Sequence, residues 1–160
     1  MLHLPRRVLS TLAVTTAFSA GAARAEIPAT LNINGASGLI ELPSGESQSD
    51  SKFTFSGTIV GSVARGTLSF QFTDRLSASF RFQTWRDWNT LFPADTGTIR
   101  DRSIDIRYQI LEESQYVPSL TVGLIDFTGE GLFSSEYIAA TKTFGEKLKV
   151  TAGLGWGRLG

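Results

Sequence analysis

From Lys52 onward, apolar and polar residues alternate along most of the chain, and turn residues interrupt the alternation at regular intervals. Ile104, Ile106, Tyr108 and Ile110 share one parity, while Asp105, Arg107 and Gln109 share the other. Leu148, Val150, Ala152, Leu154 and Trp156 alternate in the same way with Lys147, Lys149, Thr151 and Gly153. Successive side chains of an extended strand point to opposite sides, so each run predicts a strand with one apolar and one polar face.

The pattern predicts a series of seven strands. Phe53, Phe55 and Ile59 mark the first, and a turn is expected at 63–66. Leu68, Phe70 and Phe72 mark the second, which ends in a tight Asp74-Arg75 turn. Leu76, Ala78, Phe80 and Phe82 mark the third, followed by a long connection over 87–100. Four more strands are expected at 103–111, 119–127, 136–144 and from Lys147. The parity shifts at Ile125-Asp126-Phe127, which predicts a strand end or a bulge there. Ala139 and Ala140 leave the sixth strand with little contrast between its faces.

The fold class that follows is all-β, an antiparallel meander. Its polar face is built from Ser, Thr, Gln, Arg and Lys. Most runs approach the roughly 9–11 residues that a tilted strand needs to cross a bilayer. The meander is therefore expected to be part of an outer-membrane β-barrel, with lipid outside and a polar lumen inside. Connection lengths agree. The turns at 74–75, 113–118 and 145–146 are short, whereas two of the three at the other end, 87–100 and 128–134, are longer. Barrels of this type keep short turns in the periplasm and longer loops outside.

The first 25 residues stand apart. Arg6 and Arg7 precede an apolar run, 8–20, and Ala23-Arg24-Ala25 forms an A-x-A site, the pattern of a cleaved secretory signal peptide. With the barrel pattern, export through that signal predicts a location in the outer membrane of a Gram-negative bacterium. Cleavage would remove Arg6, Arg7 and Arg24 from the fifteen basic residues and leave twelve against fifteen acidic ones. Such a balance gives no electrostatic support for nucleic-acid binding. The sequence has no Cys, and its one His, His3, lies within the signal. Zinc sites of N/S type, Cys-His pairs and Ser-His-Asp triads are thereby excluded from this segment. No cofactor or metal is expected. Residues 26–51 form a lead segment that carries an Asn34-Gly35 turn and a short strand stopped at Pro43. The pattern leaves open whether this segment is a barrel strand, a plug or a periplasmic lead.

Several motifs resemble one family in order. They are Asn34-Gly35-x-x-Gly38-Leu39-Ile40-x-x-Pro43-Ser44, Asp101-Arg102-Ser103-x-Asp105, Leu111-Glu112-Glu113 and Val122-Gly123-Leu124-x-Asp126-Phe127-x-Gly129-x-Gly131-Leu132. Ser135-Glu136-Tyr137 and the terminal run Gly153-Leu154-Gly155-Trp156-Gly157-Arg158-Leu159-Gly160 complete the set. Together they resemble the YjbH (also written YbjH) exopolysaccharide family. The resemblance implies an outer-membrane barrel that supports the making or export of extracellular polysaccharide. Its implied partners are outer-membrane lipid, extracellular polysaccharide and periplasmic polysaccharide-export proteins. Some members of that family look like lipoproteins, a trait that needs a Cys, and members are several times longer. Residues 52–160 are accordingly expected to be a partial barrel continuing beyond this sequence.

By parity, Arg81, Asp105, Arg107, Lys142 and Lys149 face the lumen, where they would contact a glycan or pair with one another. Trp85, Trp88 and Phe92 are candidates for an aromatic girdle or for stacking on sugars. Asp126, Glu130 and Glu136 surround a Gly129-x-Gly131 loop, but nothing in their spacing fixes the separation that glycoside hydrolysis requires. The run 155–160 formally matches G-x-G-x-x-G without the following helix that a dinucleotide site needs. The expected protein is therefore not an enzyme. Two alternatives remain: a porin-like or structural barrel without a glycan role, and a secreted carbohydrate-binding β-sandwich.

Overall fold

The computed structural model describes residues 28–86, 97–129, 131, 133–145 and 147–159. These residues form strands and turns and no helix. A short hairpin, β1 (Gly38–Leu39) and β2 (Leu42–Pro43), lies within the lead segment. Seven strands follow: β3 (Phe53–Val60), β4 (Val63–Gln71), β5 (Leu76–Arg86), β6 (Thr98–Leu111), β7 (Ser119–Ile125), β8 (Ser135–Phe144) and β9 (Leu148–Gly157). They pair in sequence order, each antiparallel to the next, in one sheet curled into a half-barrel. The expected all-β meander is what forms.

Side-chain burial is inverted relative to a water-soluble domain. Thr67, Gln71, Ser79, Arg81, Gln83, Asp101, Ser103, Asp105, Arg107 and Gln109 are buried on the concave face. Phe55, Phe80, Ile104, Leu154 and Trp156 are exposed on the convex face, Phe55 to 70% and Leu154 to 69%. Cross-strand register keeps each class together. Phe80 lies opposite Leu68 and Ile104, while Ser79 lies opposite Ser69 and Asp105. A half-barrel has a crowded inside and an open outside, so the polar parity is packed and the apolar parity is left bare. Val63, Phe133, Tyr137 and Ala139 are the buried hydrophobic residues among those described.

Two local predictions meet their outcomes here. The β7 strand ends at Ile125, and Asp126 takes a left-handed φ of 55°, so the parity shift does mark a strand end. The register also slips between Gln109 and Leu111 on β6, an irregularity that the alternation does not reveal. The first turn is displaced from its expected place. It forms at Gly61-Ser62, where Gly61 has φ 58°, and Val63–Gly66 belong to β4. A two-residue hairpin needs positive φ early in the turn, which Gly61 supplies without a Cβ penalty.

The lead segment occupies the concave face. Thr58 Oγ1 donates to Ile33 O at 3.0 Å, and Ser69 Oγ donates to Gly35 O at 2.7 Å. Gln71 Nε2 donates to Ser47 Oγ at 2.7 Å. Ser44 is 1% exposed. Of the three roles left open by the sequence, the plug-like position is the one that these residues occupy. Residues 1–25, where the sequence predicts a signal peptide, lie outside the described residues.

Candidate functional site

The concave face has two ends. Turns 72–75 and 112–118 lie at one end, with Phe144 and Leu148, and turn 61–62 lies at the other, with Arg86, Thr98, Ile125, Ser135 and Gly157.

Near the first end, cations hold the lead segment by its backbone. Arg107 donates from Nη1 to Ser37 O at 2.9 Å and from Nη2 to Ser44 O at 2.9 Å and to Glu46 O. Gln109 Nε2 and Thr121 Oγ1 both donate to Gly45 O, at 3.0 and 2.8 Å. In return, Gly45 N donates to Thr141 Oγ1 at 2.8 Å. Lys149 pairs with Glu46. Gly45 must lack a side chain, because a Cβ there would sit 2.5 Å from Ser119 O and 2.8 Å from Thr141 N. Backbone carbonyls buried on the concave face need donors, and the polar parity of β6 and β7 supplies them.

Midway along the face, Arg81 grips Asp105 with Nη1 to Oδ2 at 2.9 Å and Nη2 to Oδ1 at 3.4 Å. Asp126 N donates to Asp105 Oδ1 at 2.9 Å. The carboxylate is thus enclosed by donors, which is what a buried charge requires. Beside it, Gly123 leaves room for the Tyr137 ring, since a Cβ at Gly123 would fall 2.3 Å from Tyr137 Cζ.

The second end is built differently. Trp85 stacks on Phe133, with centroids 5.0 Å apart and planes 9° from parallel. The Arg158 guanidinium lies 4.5 Å from the Phe133 centroid and 5.4 Å from that of Trp85. Arg65 lies 5.8 Å from the Trp85 centroid and donates from Nε to Gln83 Oε1 at 3.2 Å. Neither Arg65 nor Arg158 forms an ion pair among the described residues.

The family model for exopolysaccharide biosynthesis protein YbjH matches residues 30–160. The chain belongs to the YjbH family. The uncharacterized lipoprotein YjbH of Escherichia coli (strain K12) is 43% identical over 63 residues, which cover 39% of this chain and 9% of that protein. The matched stretch is therefore a small part of that relative. No solved structure matches the chain.

In this YjbH-family chain the candidate residues separate. Arg81, Asp105, Arg107 and Lys149 lie on the concave face as parity requires. Lys142 does not. It pairs across with Val150, which is exposed on the convex face, and its ammonium reaches Glu113 Oε1 at 3.1 Å and Ser114 O. The weak contrast around Ala139-Ala140 hides the true parity, in which Tyr137, Ala139 and Thr141 point inward. Trp85 also departs from a girdle. It shares the inward parity of Arg81 and Gln83, and its stacking on Phe133 puts it over the lumen. Trp88 and Phe92 lie outside the described residues.

The loop carboxylates do not form a facing pair. Glu136 is opposite Trp156 on the convex side, whereas Asp126 is 3% exposed and accepts Phe133 N at Oδ2, 3.1 Å away. Burial pushes the Asp126 carboxyl up, the Phe133 N–H opposes this, and the nearby Asp101 charge adds to the rise. Glu130 lies outside the described residues. Gly155 and Gly157 belong to β9, antiparallel to β8, so the glycine run has no βαβ context.

Arg65, Phe133 and Arg158 escape a reading from sequence. Arg65 falls in the expected first turn, and Arg158 lies in the terminal glycine-rich run. The usable signal is topological: in a meander, the first hairpin, the 126–134 loop and the end of β9 arrive at the same end.

Proposed function

We propose that this chain forms part of the wall of an outer-membrane β-barrel, exported by its N-terminal signal, which supports exopolysaccharide biosynthesis or export without catalysing a reaction. The observation that carries this reading is the inverted burial. A water-soluble sandwich would need a second layer over Phe55, Phe80, Ile104 and Leu154, all exposed here. A bilayer solvates such a face, and the sheet satisfies the backbone hydrogen bonds that lipid cannot. The apolar band also has a polar border. Arg86, Arg100 and Arg102 are exposed on neighbouring strands at the loop end, beyond Phe80 and Ile104. The edge strands β3 and β9 would be closed by further strands of a longer chain, consistent with the length of the E. coli relative. Membership of the exopolysaccharide family supports the glycan role.

The test is a fractionation followed by a deletion. The native protein should sediment with the outer membrane and need detergent for release. Deleting the gene should lower secreted polysaccharide while leaving general outer-membrane permeability unchanged. Release by salt alone, or unchanged polysaccharide, contradicts the proposal.

A further inference from the structure

At the loop end of the concave face, a cavity of about 150 Å³ opens between Arg65, Gln83, Trp85, Phe133 and Arg158. We propose that it binds a carboxylate-bearing sugar unit of an anionic polysaccharide. The inference rests on the polysaccharide role proposed above and names the chemistry that this end of the lumen accepts.

The argument begins with the cations. Arg107 and Lys149, elsewhere on the face, are each committed to a carbonyl or a carboxylate. Arg65 and Arg158 have no ion-pair partner among the described residues, although both border a lumen cavity. Glu41 of the lead segment also lines the cavity, but it lies beyond ion-pair distance of either. Aromatic faces hold the two guanidiniums in place: Phe133 and Trp85 lie under Arg158, and Trp85 lies under Arg65. A guanidinium stacked by its flat face keeps its N–H edge available, and that planar fork matches a carboxylate.

A third cation borders the same space. Arg81 is 2% exposed and lines the cavity; its Nη atoms hold Asp105, and its Nε has no hydrogen-bond partner among the described residues. A buried donor left unpaired is costly, and a ligand oxygen would satisfy it. Asn34 and Ser135 add neutral polar groups suited to sugar hydroxyls, whereas Gln83 is engaged by Asp101 and Arg65. The cavity thus combines positive charge for an acid with amide and hydroxyl groups for its ring substituents.

The experiment uses the full-length protein purified from outer membranes in detergent. Tetragalacturonate and the neutral maltotetraose are titrated calorimetrically at low and high salt. Tetragalacturonate should bind saturably, bind less tightly at high salt, and bind about tenfold or more weakly to the Arg65→Gln/Arg158→Gln double variant. Arg75→Gln, at the opposite end of the sheet, should bind like the wild type. Folding of each variant is checked by its heat-modifiable gel mobility. If the Gln double variant does not fold, the Arg65→Lys/Arg158→Lys pair carries the test: weakened binding supports the site, and unchanged binding overturns it. The proposal is also overturned if the wild type does not bind tetragalacturonate, if maltotetraose binds equally well, or if the folded Gln double variant keeps full affinity. A protein that is needed for polysaccharide yet ignores tetragalacturonate refutes the cavity assignment alone. Failure of outer-membrane fractionation refutes the wider reading and leaves the titration result standing.

Discussion

At the short-turn end of the concave face, Arg107 and Lys149 are tied to the lead segment, whereas at the loop end Arg65 and Arg158 border an open cavity with no ionic partner among the described residues. The same residue types on the same face therefore meet different fates. Where a cation finds a carbonyl or carboxylate of its own chain, its role is to fix the plug-like segment. Where it finds aromatic rings and a neutral amide, with no carboxylate in ion-pair range among the described residues, its charge is left for something outside the chain. Parity places a residue in the lumen, but its partners decide between these two roles.

The largest predicted effect lies at the tied end. Arg107→Leu strands the carbonyls of Ser37, Ser44 and Glu46 on a buried face. Unfolding of the detergent-solubilised protein should then be easier by about 3–5 kcal/mol, as expected when three acceptors on a buried face lose their donor at about 1–3 kcal/mol each. A loss below about 1 kcal/mol would show that the lead segment is not held by this residue. The convex face serves as a reference for both ends. Phe80→Arg should impair membrane assembly by about 2–4 kcal/mol, as for a charge near the bilayer midplane. Assembly equal to that of Phe80→Leu would show that this face does not meet lipid.

Smaller effects sharpen the contrast. Gly45→Ala places a methyl against Ser119 O and Thr141 N, which are backbone atoms and cannot swing aside. It should cost about 1–3 kcal/mol and loosen the lead segment, seen as faster proteolysis of that segment. At the open end, Arg65→Gln loses only a cation–π contact and one hydrogen bond to Gln83, so stability should fall by about 1 kcal/mol or less. A cost there as large as that of Arg107→Leu would erase the distinction between the two ends.

The smallest effect concerns the turn at 112–118. Burial pushes the Glu113 carboxyl up, but the Thr143 N–H, the Lys142 ammonium and the Thr143 hydroxyl together hold it below its ordinary value. A depressed folded value means that the stabilisation is present above the unfolded carboxylate value and is lost as pH falls through the folded one. Glu113→Gln should remove that acid-side loss, at a cost under about 1 kcal/mol at neutral pH because the pair is partly solvated. Equal acid sensitivity in both proteins would show that the turn does not contribute.

How much of this was legible in the sequence depends on whether a strand contrasts its two faces. Ile104 to Ile110 alternate cleanly with Asp105 to Gln109, and β6 follows that parity until the register slips near Ile110. Ala139-Ala140 carry no contrast, and Lys142 was placed on the wrong face as a result. Trp85 was decidable, because it continues the odd parity of Ser79, Arg81 and Gln83. The position of the lead segment was not decidable, because it is held mainly by backbone carbonyls, which every residue carries. The cluster of Arg65, Trp85, Phe133 and Arg158 is assembled from four strands and loops far apart in sequence, so no local motif announces it.

The most direct test of the account probes the environment of the two faces in isolated outer membranes. This stretch has no Cys, so Phe80→Cys, Ile104→Cys, Ser79→Cys and Gln83→Cys can each be introduced, any Cys elsewhere in the protein being replaced by Ser, and spin-labelled for collision accessibility. Labels at 80 and 104 should be accessible to oxygen and shielded from a water-soluble nickel chelate, with labels at 79 and 83 shielded from lipid. Equal accessibility at neighbouring positions, or water exposure at 80 and 104, would contradict the claim that the apolar convex face meets the bilayer.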